Sequence, residues 1–179
     1  MSESKRLIWI ADFYVSDIYG GAEVVNEIMI LGLESLGWEV VRWHSAGVTP
    51  KMVEQNIDTP MMVAHFLQMS PAVFRKITED ATYYVYEHDH KYVKTRDPSV
   101  FPDNIAPAIY LANSVLYRNA KAVLCQSKLH AEVVRDNLIL DNVIDMGCSL
   151  WSTEEQQIMR DNANCLLYTS DAADESVSV

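Results

Sequence analysis

Basic residues are few in this sequence: 14 Lys and Arg stand against 25 Asp and Glu in 179 residues, with no basic run. The formal charge of −11 argues against a nucleic-acid partner, because phosphate-binding surfaces need clustered positive charge. It also argues against attraction of the whole chain to an anionic membrane. No apolar run reaches the roughly 20 residues that a membrane-spanning helix needs, so no transmembrane segment is expected. Lys5 and Arg6 precede an apolar run, Leu7 to Ala11, that is too short for a signal peptide. A cytoplasmic location is therefore expected. Cysteine is sparse as well. Cys125, Cys148 and Cys165 form no CxxC or other metal-ligand spacing, which reads as reduced, structural thiols. Six Gly and six Pro exclude collagen-like and low-complexity chains. What is present, 49% hydrophobic and 22% charged residues, suits one well-buried globular domain and is too little for two of ordinary size.

Short apolar runs alternate with helical patterns along the chain. Strands are expected at Leu7 to Asp12, Trp38 to Trp43, Met61 to Ala64, Ala81 to Tyr86, Lys121 to Cys125 and Asn142 to Asp145. Between the first two, a helix from Ala22 places Val25, Ile28, Met29, Gly32 and Leu36 on one face, and Gly37 stops it. Thr49-Pro50 and Ser70-Pro71 are cap-and-first-turn pairs for two short helices. A long helix is expected over residues 105–119, and another from Lys128 to Asn137. This alternation predicts βαβ units, hence an α/β, Rossmann-like open parallel sheet with helices on both faces.

Ligands of such sheets bind outside the carboxyl ends of the strands. Here those ends carry Asp12, the Gly20-Gly21 loop, His44, His65, His88-Asp89 and Ser127. Gly20 and Gly21 allow close backbone approach, and the helix behind them offers free N–H groups to a phosphate or a sugar oxygen. A glycine-rich turn without a ligand reads equally well from these residues. Neither GxGxxG nor GxxxxGK[ST] occurs, which argues against dinucleotide and P-loop chemistry. In Glu87-His88-Asp89-His90 the two histidines fall on opposite faces of an extended segment, so no shared metal ion is expected. Ser127 lacks the GxSxG context of a hydrolase nucleophile. Cys125 and the Tyr-rich run at 83, 84 and 86 read as core and sheet packing.

The chain resembles the opening of glycosyltransferase family 4, the retaining GT-B-fold enzymes, over about residues 5–150. Gly20-Gly21-Ala22-Glu23 is the most specific piece. It is joined by the Leu36-Gly37-Trp38-Glu39-Val40 helix end, the strand ending His88-Asp89, the Ala120 to Ser127 segment, and Val143-Ile144-Asp145-Met146-Gly147. After Gly147 the chain has Cys148-Ser149 where the family usually continues Val-Asp. The resemblance implies one half of a GT-B fold, the acceptor-side domain over 1–150, followed by a linker or helix over 151–164. It implies transfer from a nucleotide-sugar donor to a small-molecule or glycan acceptor, with no metal and no cofactor beyond the donor itself. His88 would orient the sugar or acceptor as the catalytic-site histidine, and Gly20, Gly21, Asp89 and Ser127 would bind substrate. The donor-binding C-terminal domain of the same polypeptide would be missing, leaving this portion inactive alone. The competing expectation is a complete, flavodoxin-like binding or regulatory domain.

Residues 165–175 change character abruptly and resemble translated sequencing-adapter DNA. That implies a non-native tail over 165–179, and residues from about 161 onward are expected to be disordered; a natural acidic tail is the alternative. Removing residues 161–179 takes away four acidic and no basic residues, so 14 basic and 21 acidic remain, a charge of −7. The argument about partners is unchanged.

Overall fold

The computed structural model describes residues 5–147 and 149–162. It divides into two compact units, Met1–Ser149 and Leu150–Val179. In the second unit residues 153–162 are helical. The Ser152 hydroxyl accepts from the Glu155 N–H at 3.1 Å, and the Glu155 carboxylate accepts from the Ser152 N–H at 2.8 Å. This reciprocal pairing satisfies two backbone donors that the first helical turn leaves open. Cys148, Cys165 and the whole adapter-like stretch lie outside the described residues. Among the described residues, no helix is long and apolar enough to cross a membrane.

The first unit is a Rossmann-like α/β sheet. Its elements are β1 (Arg6–Ala11), α1 (Gly21–Ser35), β2 (Glu39–His44), α2 (Pro50–Gln55), β3 (Met61–Val63), α3 (Pro71–Asp80), β4 (Tyr83–Glu87), α4 (Ser114–Asn119), β5 (Val123–Cys125), α5 (Lys128–Leu138) and β6 (Val143–Asp145). Six parallel strands run in the order β2-β1-β3-β4-β5-β6. The chain leaves β1 toward β2 on one side and returns to β3 on the other. The carboxyl ends of β1 and β3 therefore form the switch point, where such sheets open a crevice.

Strand register explains the core. Ile10, Val63, Val85, Val123 and Val143 lie side by side across five strands and are all buried. Val53 of α2, Val73 and Ile77 of α3, Leu116 and Tyr117 of α4, and Val134 and Leu138 of α5 join that row in one cluster. Side chains alternate along a strand, so Trp9, Met62, Tyr84 and Tyr86 face the opposite way. α1 contributes nothing to the cluster and packs beside β2. Cys125 belongs to the core, and burial raises its thiol to about 12, so it is not a reactive thiolate. Tyr83 and Tyr86 are buried in the sheet as expected.

Caps fall where sequence chemistry puts them. Thr49 accepts from the Met52 N–H and Ser70 from the Val73 N–H, with Pro50 and Pro71 in the first turns. Gly37, at φ +82°, takes the left-handed conformation that ends α1. Two expectations are corrected. The 105–119 helix does not form as expected: a short turn at Ala108–Tyr110 stands in its first half, and α4 begins only at Ser114. Pro107 disfavours helix at Ala106, and the Lys94 N–H to Tyr110 C=O and Ala112 N–H to Tyr92 C=O bonds take backbone groups a helix would need. The buried stripe of α1 also differs: it is Val25, Asn26 and Ile30, while Leu36 is 69% exposed. A polar residue holds the inward position because it has a partner there.

Ile139 ends α5 in the left-handed region, at φ 55°, with its side chain 90% exposed. A β-branched residue is strained there and gains nothing from burial. Ile139→Gly is expected to raise the unfolding free energy by about 1 kcal/mol. The urea midpoint measures it; a lowered midpoint would show that the strain is illusory.

Candidate functional site at the carboxyl edge of the sheet

The strand ends converge around His88. Its Nε2 lies 2.9 Å from Asn26 Oδ1 and its Nδ1 lies 2.8 Å from Gln126 Nε2. Ser149 Oγ donates to Gln126 Oε1 at 2.9 Å, which leaves the amide nitrogen facing the imidazole. An amide nitrogen only donates, so Nδ1 accepts and Nε2 carries the proton given to Asn26. The network therefore selects one neutral tautomer. Burial holds the His88 pKa well below its ordinary value, with His65 and Lys91 adding to the effect. The His65 ring stacks on His88 at 5.1 Å and 24°, and Tyr86 meets it edge-on at 4.5 Å. Burial, then the Lys91 charge, lowers His65 to about 4.

Asp12, at the end of β1, is a clasp. Its carboxylate accepts from Ser45 Oγ and from the Leu67 and Gln68 N–H groups at 3.1 and 3.2 Å. This joins the ends of β1 and β2 to the loop after β3, and so positions His65. Glu87 is on the opposite face of β4 from His88. It is buried, and accepts from the Tyr117 hydroxyl and from the Asp89 N–H. Lys91 is 2% exposed and pairs with Asp89, which also pairs with Arg96.

The sequence-derived candidates separate into groups. His65 and His88 come together, while His44 stays at β2 beside Tyr14 and Asp17. His90 turns elsewhere, to Tyr92 at 2.9 Å and to the His130 ring at 4.6 Å. Asp89 has both carboxylate oxygens in ion pairs. Ser127 is the N-cap of α5 and accepts from the His130 N–H at 3.2 Å. Gly20 caps α1 at a close approach: a Cβ there would collide with the Glu23 carboxylate. Gly21, in contrast, faces open space. Glu23 thus already supplies a negative charge beside the N-terminus of α1, so a neutral hydroxyl suits the Gly20-Gly21 turn better than a phosphate.

Three residues of this edge escape a sequence reading. Asn26 is passed over because apolar residues define a helix face; its only signal is a polar residue between Val25 and Ile30 on one stripe. Lys91 is betrayed only by its acidic neighbours Glu87 and Asp89. Gln126 stands beside Ser127 with nothing to distinguish it. No family profile matches the chain, and no curated protein or solved structure matches it either.

Proposed function

We propose that this chain is the acceptor-side half of a retaining sugar transferase, of the kind its sequence resembles. The observation that carries the reading is the meeting of Asn26, His88 and Gln126 at the sheet's carboxyl edge. It sets a neutral, oriented imidazole beside the switch-point crevice, on the strand where the resemblance asks for it. Such a group accepts or donates one hydrogen bond without becoming charged, as positioning a sugar hydroxyl requires. Both ring nitrogens are taken, so a ligand must release one of them. Gln126 is half-buried, whereas Asn26 is fully buried. Displacement of Gln126 frees Nδ1 to accept from a sugar or acceptor hydroxyl. Gly21, which faces open space at the start of α1, would offer its backbone to the same ligand. His88 orients and stabilises; it is not a nucleophile. The nucleotide-sugar donor, and the C-terminal domain that would hold it, lie outside this chain.

The test uses the longer enzyme recovered from uninterrupted genomic DNA, assayed for release of nucleotide from a panel of nucleotide sugars. His88→Ala is expected to lower kcat at least about tenfold, within the range typical of electrostatic positioning groups. His90→Ala, in its separate cluster, leaves kcat within about twofold, a margin under 0.5 kcal/mol. Gly21→Val raises KM by filling the open space. A silent His88→Ala with a severe His90→Ala would overturn the site. No turnover of any nucleotide sugar by the longer enzyme would overturn the sugar-transfer reading in favour of a binding domain.

A further inference from the structure

A groove of about 510 Å³ lies between the loop after β3, α3 and the start of α4. That volume falls within the range of small-molecule sites. Its apolar lining includes Phe66, Leu67, Phe74 and Val115. Phe66 and Phe74 meet with ring centroids 6.1 Å apart, a tilted aromatic pair. Leu67 and Val115 are each 51% exposed, so the groove's apolar surface is open to a ligand.

Two charged side chains also line it: Arg75 and Glu79, one turn apart on α3. At the same spacing on that helix, Lys76 and Asp80 form an ion pair of 2.9 Å. Arg75 and Glu79 do not pair with each other, and neither makes a side-chain ion pair or hydrogen bond among the described residues. Exposed pairs gain little, so leaving this one open costs the fold little. What remains is a separated positive and negative charge beside an aromatic surface. A guanidinium fits a carboxylate through two parallel hydrogen bonds, and a carboxylate fits an ammonium as a point charge. A purely anionic ligand would face Glu79, and a purely cationic one would face Arg75. A ligand with both charges meets neither difficulty.

We propose that this groove binds a zwitterionic ligand with an aromatic body, of the aromatic amino-acid class. The carboxylate lies on Arg75, the ammonium on Glu79, and the ring against Phe74, Leu67 and Val115. The site is argued from the groove alone and stands whether or not the chain transfers sugars.

Three probes separate the parts: L-tryptophan with both charges, indole-3-propionate with the carboxylate only, and tryptamine with the ammonium only. Binding to the full chain is measured by calorimetry, without nucleotide sugar, and mapped on the Leu67 and Val115 methyl resonances. L-tryptophan is expected to bind tightest. Arg75→Gln weakens L-tryptophan and indole-3-propionate about tenfold and spares tryptamine, as loss of a charged hydrogen-bond partner requires. Glu79→Gln does the reverse, weakening L-tryptophan and tryptamine. Both residues are exposed, so neither variant threatens folding. Val115→Trp fills the groove and abolishes all three interactions. Absence of L-tryptophan binding at millimolar concentration overturns the proposal. Equal affinity for the three probes, or equal effects of both charge variants on all of them, also overturns it.

Discussion

Unfolding stability is expected to fall by roughly 3 kcal/mol between pH 6.5 and pH 4 through His65 alone. The folded pKa is about 4, against 6.5 for an unconstrained imidazole, because burial and the nearby Lys91 cation oppose the charged form. A base with a depressed folded pKa binds more protons when unfolded. Stability therefore rises with pH through this window, is complete above 6.5, and is lost as pH falls toward 4. His88, His90 and His130 are shifted the same way, each chiefly by burial, and steepen the same limb. Urea unfolding at half-unit pH intervals measures the slope. His65→Phe keeps a ring against His88 and removes the titrating group. The variant should show a shallower limb over this window; parallel curves for parent and variant would refute the assignment. The link to function is direct. The stack that keeps His88 neutral is also the part of the site that acid disrupts.

Lys91→Met is expected to cost about 3 kcal/mol or more, since removing one member of a buried charge set strands the others. Lys91 is 2% exposed and pairs with Asp89; burial lowers its pKa, and the Glu87 carboxylate opposes that shift. Arg96 continues to serve Asp89, but Glu87 loses the buried cation. Adding Glu87→Gln removes the stranded charge; its amide oxygen accepts from the Asp89 N–H and its NH2 donates to the Tyr117 hydroxyl oxygen. The double variant should recover a large part of the loss. Denaturant midpoints decide it. A Lys91→Met chain within about 0.5 kcal/mol of the parent would behave as an ordinary surface substitution and sink the argument.

Local reading fails in the segment after Lys91. A helical pattern over 105–119 is overridden by Pro107 and by the pairing of Val93 with Leu111, which brings distant backbone together. The α1 stripe fails for a different reason. A face is read from its apolar residues, and Asn26 is inward only because His88, 62 residues later, meets it there. In the same way, the Ser127 hydroxyl capping α5 and the two ion pairs of the Asp89 carboxylate appear only in the structure. These are contacts across the chain, and no window of neighbouring residues contains them.

The sequence by itself determined the parallel α/β architecture, because strand and helix periods are local and alternating units have few ways to pack. It also determined the Thr49 and Ser70 caps, the Gly37 stop and the core position of Cys125, all set within a few residues. Tertiary structure alone decided the tautomer of His88, the clasp at Asp12, the burial of Lys91 and the open Arg75–Glu79 pair in the groove. Each depends on where a distant side chain lands. Desolvation and hydrogen-bond geometry act over a few ångströms in space, whatever the separation along the chain.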